Sequence, residues 1–137
     1  MTDLKKLDTG IVYSSFSDKE LYTLEFHAAK NGFAVAHIRC KYCDELDAFF
    51  REISSALRFP YYFGNNWSAL DECLTDLDWL SFSGILIVFD NYGLMFRREL
   101  KKKTSKELFV KHMNIAVDEW TGKNVPISVY INDLKKD

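Results

Sequence analysis

Apolar residues recur at helical spacing along four stretches of the chain, and short apolar runs separate them. In Asp18 to Lys30 (DKELYTLEFHAAK), Leu21, Leu24 and Ala28 share one face, with Ser17 or Asp18 at the N-cap and Asn31-Gly32 closing the C-terminus. The stripe in Asp44 to Leu57 is Leu46, Phe49, Phe50, Ile53 and Leu57, and in Trp67 to Leu77 it is Ala69, Leu70, Cys73, Leu74 and Leu77. A further helix is predicted over Lys106 to Trp120, with Leu108, Phe109, His112, Ile115 and Ala116 near one face. The runs Phe33 to Ile38 (FAVAHI), Ile85 to Phe89 (ILIVF) and Ile127 to Ile131 (ISVYI) have the length and β-former content of buried strands, and Ile11 to Tyr13 is a candidate edge strand. Strands alternating with helices predict an α/β fold: a small parallel sheet of three strands, or four with the edge strand, flanked by helices.

With 137 residues, 47% of them hydrophobic, the chain can bury one sizeable core, so a single domain over 1–137 is expected. No internal repeat or low-complexity segment divides it, and Pro60 and Pro126 fall where elements begin or end. The opening MTDLKKLDTG lacks a signal peptide's apolar run, and no segment approaches the roughly 18 apolar residues of a membrane span. Three cysteines fit reduced thiols better than a disulfide framework, and together these features predict a cytoplasmic protein.

The formal net charge of -2 conceals an asymmetry. Between Arg58 and Arg97 the acids Asp71, Glu72, Asp76, Asp78 and Asp90 have no lysine or arginine among them, whereas Arg97, Arg98, Lys101, Lys102, Lys103 and Lys106 crowd the next segment. The acidic zone contains Tyr61 to Asp78 (YYFGNNWSALDECLTDLD), an aromatic-lined turn feeding a short helix. Gly64, flanked by Tyr61, Tyr62, Phe63 and Trp67, marks a sharp bend, and not all of these rings can point inward. Asn66 is the natural N-cap, which leaves Asn65 exposed in the turn. With Leu70, Cys73, Leu74 and Leu77 facing the core, Ser68, Asp71, Glu72 and Asp76 are expected outward. Ser68, Glu72 and Asp76, at i, i+4 and i+8, form a ridge with no lysine to offset it. Acids beside exposed rings suit a cationic partner, the rings anchoring and the acids steering. An ordinary solvated acidic face is the competing reading.

The string Phe59, Pro60, Tyr62, Phe63, Gly64, Asn66, Trp67, Ala69, Leu70, Cys73, Leu74, Asp76 and Leu77 resembles the signature of the barstar family of ribonuclease inhibitors. The likeness extends more loosely over residues 33 to 132, so 32–134 is expected to be the barstar-like core and 1–31 a strand and helix extension. The resemblance implies a protein without catalytic activity that plugs the active site of a small basic ribonuclease with an acidic helix and an aromatic turn. It places Glu72 where the family has the acid that enters the phosphate site, and Tyr62 where it has the ring that covers the cleft. Gly64 and Asn66 match the turn. Ser68 stands where the family commonly has aspartate, and Glu72 is one methylene longer than the usual acid. Asp71, Asp76 or Asp78 could supply the missing charge, with Glu119 as a peripheral acid. The alternative is a module that keeps the scaffold and binds a cationic partner other than a nuclease.

Cys40 and Cys43 form a C-x-x-C without a second pair, and His27, His37 and His112 are scattered, so a zinc or redox site is not predicted. No phosphate loop, H-E-x-x-H or G-x-S-x-G occurs. No cofactor, metal or catalytic residue is expected. The basic segment Arg97 to Lys106 lacks the interleaved aromatics of single-strand readers, so it reads as a solvated face, or one that pairs with the acidic helix, with no direct nucleic-acid contact.

Overall fold

A computed structural model describes residues 6–134. Residues 1–5 of the expected 1–31 extension lie outside the described residues. In chain order the elements are β1 (Gly10–Ser14), α1 (Asp18–Lys30), β2 (Phe33–Arg39), α2 (Leu46–Ala56), α3 (Trp67–Leu74), β3 (Gly84–Asp90), α4 (Lys102–Gly122) and β4 (Ile127–Asn132). Short 3-10 turns occupy Cys40–Tyr42 and Tyr92–Leu94. The strands form one four-stranded sheet in the order β1-β4-β3-β2, and every pair is parallel. The α/β class and parallel sheet agree with the sequence expectation, and the short segment around Ile11 to Tyr13 supplies the fourth strand at the edge beside β4.

The alternation of side chains along each strand divides the core into two layers. Leu86 and Val88 of β3 and Tyr130 of β4 meet Leu21, Leu24 and Ala28 of α1 on one face. Ile85, Ile87 and Phe89 of β3, with Val129 and Ile131 of β4, meet the apolar stripes of α2, α3 and α4 on the other. Six of the seven residues of β3 are buried, which explains why this strand reads as an unbroken apolar run. At its start the ring of Phe33 occupies the space a side chain at Gly84 would need: a Cβ there would lie 2.4 Å from the ring. Of the two candidate N-caps of α1, Ser17 caps the helix, in a capping box, Ser17 Oγ accepting from the Glu20 amide at 3.2 Å and Glu20 Oε1 from the Ser17 amide at 3.1 Å, and Asn31 is the C-cap.

The C-terminal strand ends carry a polar row in register, Ser14, Asn132, Asp90 and Arg39. Buried Asn132 binds the backbone of Phe16 through both ends of its amide, accepts from Ser14 Oγ at 2.8 Å and donates to Asp90 Oδ1 at 3.2 Å. Next to this row, His37 Nδ1 lies 2.6 Å from Glu25 Oε2 of α1, and its Nε2 lies 3.5 Å from Asp90 Oδ2. The hydrogen bond to Glu25 outweighs the desolvation of the ring and raises the His37 pKa above its ordinary value.

Candidate partner-binding face

The turn before α3 is built from local hydrogen bonds. Leu57 caps α2, Phe59 N donates back to Ser54 O at 2.9 Å, and Phe63 N donates to Pro60 O at 3.0 Å. The left-handed residue of the turn is Asn65 (φ 50°), not Gly64. Asparagine tolerates this conformation because its short amide can bond locally. Gly64 instead packs beneath the Asn66 amide, where a Cβ would sit 3.2 Å from Nδ2. Asn66 is the N-cap the sequence calls for: Oδ1 accepts from the Ala69 amide at 2.8 Å, and Nδ2 donates to Gly64 O at 3.1 Å.

The four rings divide into two pairs. Tyr61 and Tyr62 project from the turn, 100% and 71% exposed, and pack against each other edge to face. Phe63 and Trp67 turn inward: Phe63 meets Phe59 at 5.0 Å and Phe50 at 6.2 Å, and Trp67 meets Phe50 at 5.2 Å and Phe49 at 5.6 Å between ring centroids. Phe63 and Trp67 therefore hold the turn on the core. Tyr61, absent from the expected site, stands beside Tyr62, and only its full exposure in the fold reveals it.

Helix α3 is shorter than its pattern predicts. It ends at Leu74, Thr75 is the C-cap, and Leu77 adopts a left-handed φ of 52°. Leu70, Cys73, Leu74 and Leu77 are buried as expected, but Leu77 reaches the core from the turn after the helix. Asp76 also lies beyond the helix, so the ridge continues from Ser68 and Glu72 on α3 onto a loop, with all three residues exposed. Asp78 joins it: a hydrogen bond shared with Asp76, and then that residue's charge, raise the Asp78 pKa.

Asp71 departs from the outward expectation. It is half-buried, and its Oδ1 lies 2.7 Å from Nδ1 of His112 on α4, whose side chain is 11% exposed. The His112 ring stacks beneath Trp67, with centroids 4.8 Å apart and planes within 10°. Farther along, Trp120 Nε1 donates to Leu74 O at 2.9 Å and Lys123 Nζ to Thr75 O at 3.2 Å, where a cation favours the C-terminal end of a helix. Lys123 also pairs with Glu119 at 3.5 Å, so the expected peripheral acid is partly neutralised. A ridge without cationic neighbours in sequence thus has two basic side chains close by in space, His112 on α4 and Lys123 at its C-cap, neither from Arg97 to Lys106. That segment's only salt bridge among the described residues joins Arg98 to Asp44 at 3.6 Å.

Cys40, Cys43 and Cys73 are free and buried, and burial pushes the Cys43 thiol up to about 12 and raises the other two. A neutral buried thiol is a poor nucleophile. Among the described residues, no group of three or more His, Cys, Asp or Glu side chains is placed to hold a metal ion, and no helix is long and apolar enough to cross a membrane.

The fold is similar to that of a chain in the structure of Drosophila ORC bound to DNA, with a TM-score of 0.59 at 13% identity over 98% of this chain and 34% of that one. At that identity the likeness is one of fold alone. A weaker likeness, to the Aeropyrum pernix ORC2 protein, has a TM-score of 0.48 at 13% identity over 93% of this chain and 35% of that one. The chain spans about a third of the length of each. No curated protein matches it. The family model described as Barstar (barnase inhibitor) matches residues 33–132, from the start of β2 to the end of β4. The string from Phe59 to Leu77 lies inside this match, β1 and α1 lie outside it, and the chain belongs to the barstar family.

Proposed function

We propose that the protein is a non-enzymatic inhibitor of a small basic ribonuclease, acting through the face formed by Tyr61, Tyr62, Asn65, Ser68, Glu72, Asp76 and Asp78. The observation that carries this reading is the exposed row Ser68, Glu72 and Asp76 beside two outward tyrosines, on a turn and helix that fall within the family match. A ribonuclease cleft is built to bind phosphates, so carboxylates fixed on a rigid helix compete directly with RNA. Glu72 is the acid for the phosphate site, Asp76 and Asp78 steer the approach, and Tyr62 with Tyr61 covers the cleft rim. Asn66, Phe63 and Trp67 act from beneath by fixing the turn, so that less freedom is lost on binding. Outside the family match, α1 covers the second face of the sheet.

Barnase and barstar are the reference case of such electrostatic steering, and the same physics governs an acidic face that meets a basic cleft. A second reading, a cationic partner that is not a nuclease, is favoured by one observation. Ser68 is exposed and uncharged, and Asp71 is committed to His112, so neither adds a free carboxylate. Capture on the immobilised protein from cells of its source separates the two readings. The inhibitor reading expects a small basic protein with ribonuclease activity that is silenced when the chain is added back. A basic partner with no such activity supports the second.

A further inference from the structure

The start of α4 gathers positive charge around an aromatic floor. Residues 97–107 carry six cations and two acids in a chain of net charge -2. Arg97, Arg98, Lys101, Lys102 and Lys103 are exposed, and Leu100 beside them is fully exposed. Tyr92, Lys102, Lys103, Lys106, Glu107 and Val110 line an open groove of about 750 Å³. The Lys106 ammonium lies 4.5 Å from the centroid of the Tyr92 ring and 3.5 Å from the Tyr92 carbonyl oxygen.

This concentration of cations is locally unfavourable. The first turn of α4 contains no acid, and Lys101 at the N-cap makes no side-chain cap. Lysines there oppose the helix dipole, which favours anions at that end. Burial, and then the charge of Lys102, lower the Lys106 pKa. Among the described residues, the acids that act on the groove include Glu107 on its wall and Asp133, whose charge acts on Lys106 and whose carboxylate lies near Gly93. The sequence pattern lacks interleaved aromatics, but the fold brings Tyr92 under Lys106 from a separate turn, so a ring and several ammonium groups share one groove. Single-strand readers combine a cationic track for phosphates with an aromatic surface for bases.

We infer that this groove binds single-stranded nucleic acid, its phosphates on Lys102, Lys103 and Lys106 and a base over Tyr92 in the place the Lys106 ammonium leaves when it turns to a phosphate, since the Tyr92 ring also packs on Phe109. The site is separate from the acidic face. Lys103 and His112 are nine residues apart on α4, or about 14 Å along its axis. A polycarboxylate such as polyglutamate would meet the same charges but has no aromatic ring to set against Tyr92, whereas each nucleotide pairs a phosphate with a planar base.

The test is fluorescence anisotropy of labelled 12-residue oligouridylate and oligothymidylate with the full chain at 50 and 200 mM salt. Binding of either strand is expected at the lower salt, weakened about 20-fold at the higher for the three lysine contacts to phosphate. Lys102→Glu with Lys103→Glu should weaken binding at least about 10-fold. These lysines are exposed, and acids at this position favour the helix, so the variant remains folded. Lys19→Glu with Lys30→Glu, on α1, should bind as the parent does. The inference is overturned by no binding at 50 mM salt, by binding indifferent to the Lys102 and Lys103 reversal, or by equal binding of polyglutamate. None of these outcomes bears on the acidic-face reading.

Discussion

The carboxylate of Asp71 and the imidazole of His112, 41 positions apart in sequence, meet at 2.7 Å beneath the face that carries Glu72. The pair joins α3 to α4, and the stack of Trp67 on the same imidazole continues the joint into the aromatic core. Removing either partner leaves a half-buried polar group unmatched, so His112→Ala is expected to cost about 1–3 kcal/mol and Asp71→Ala about 1–2 kcal/mol. In a double-mutant cycle by urea unfolding, the two should couple by at least about 0.5 kcal/mol. Additive effects would mean that the contact contributes nothing of its own.

Asn66 closes the N-terminus of a helix only 8 residues long, so its cap matters more than usual. Asn66→Ala should lower stability by about 1 kcal/mol, and Asn66→Asp should retain most of it because aspartate caps as well. Thermal unfolding of the two variants makes the comparison. Equal losses in both would show that the amide donation to Gly64 O, not the cap, is what counts.

His37 gives the fold a dependence on pH. Its pKa is raised in the native state, chiefly by the hydrogen bond to Glu25 and also by Asp90, so the folded protein holds this proton more tightly than the unfolded chain. The stabilisation is therefore complete below the unfolded value, about 6.5 for histidine, and is lost as pH rises through the folded value. The stability difference between the parent and His37→Gln, from urea curves between pH 5.5 and 9, should shrink as pH increases. A difference that is constant or grows would contradict the assigned ion pair.

Tyr61 and Tyr62 are so exposed that truncating them should leave stability within about 0.5 kcal/mol of the parent. In the proposed complex, however, Tyr62→Ala should speed dissociation about 10-fold or more while association changes little, since aromatic anchors act mainly after encounter. Stopped-flow or surface-based kinetics separates the two rates. An effect confined to association would remove the anchoring role.

Much of the fold is visible in the linear pattern because the relevant signals are local. The caps of α1 and α3, the buried stripes and the continuous run of β3 each depend on residues a few positions apart. The length of α3 is less legible: the apolar period runs on through Leu77, whereas the backbone turns left-handed there and carries Asp76 off the helix. The fate of Asp71 is not legible at all, because its partner comes from α4 and helical geometry alone sends it outward. The same holds for the rings, since no spacing rule distinguishes Tyr61 and Tyr62, which project, from Phe63 and Trp67, which pack onto Phe49 and Phe50.

The most direct test is inhibition of the captured ribonuclease by the parent chain and by Glu72→Ala with Asp76→Ala, read as association rate and residual activity at low and moderate salt. Both residues are exposed, so the variant should fold as the parent does. The account predicts association slowed about 10-fold or more at low salt, with weaker salt dependence and incomplete inhibition at concentrations where the parent silences the enzyme. Unchanged inhibition by the double variant would contradict it.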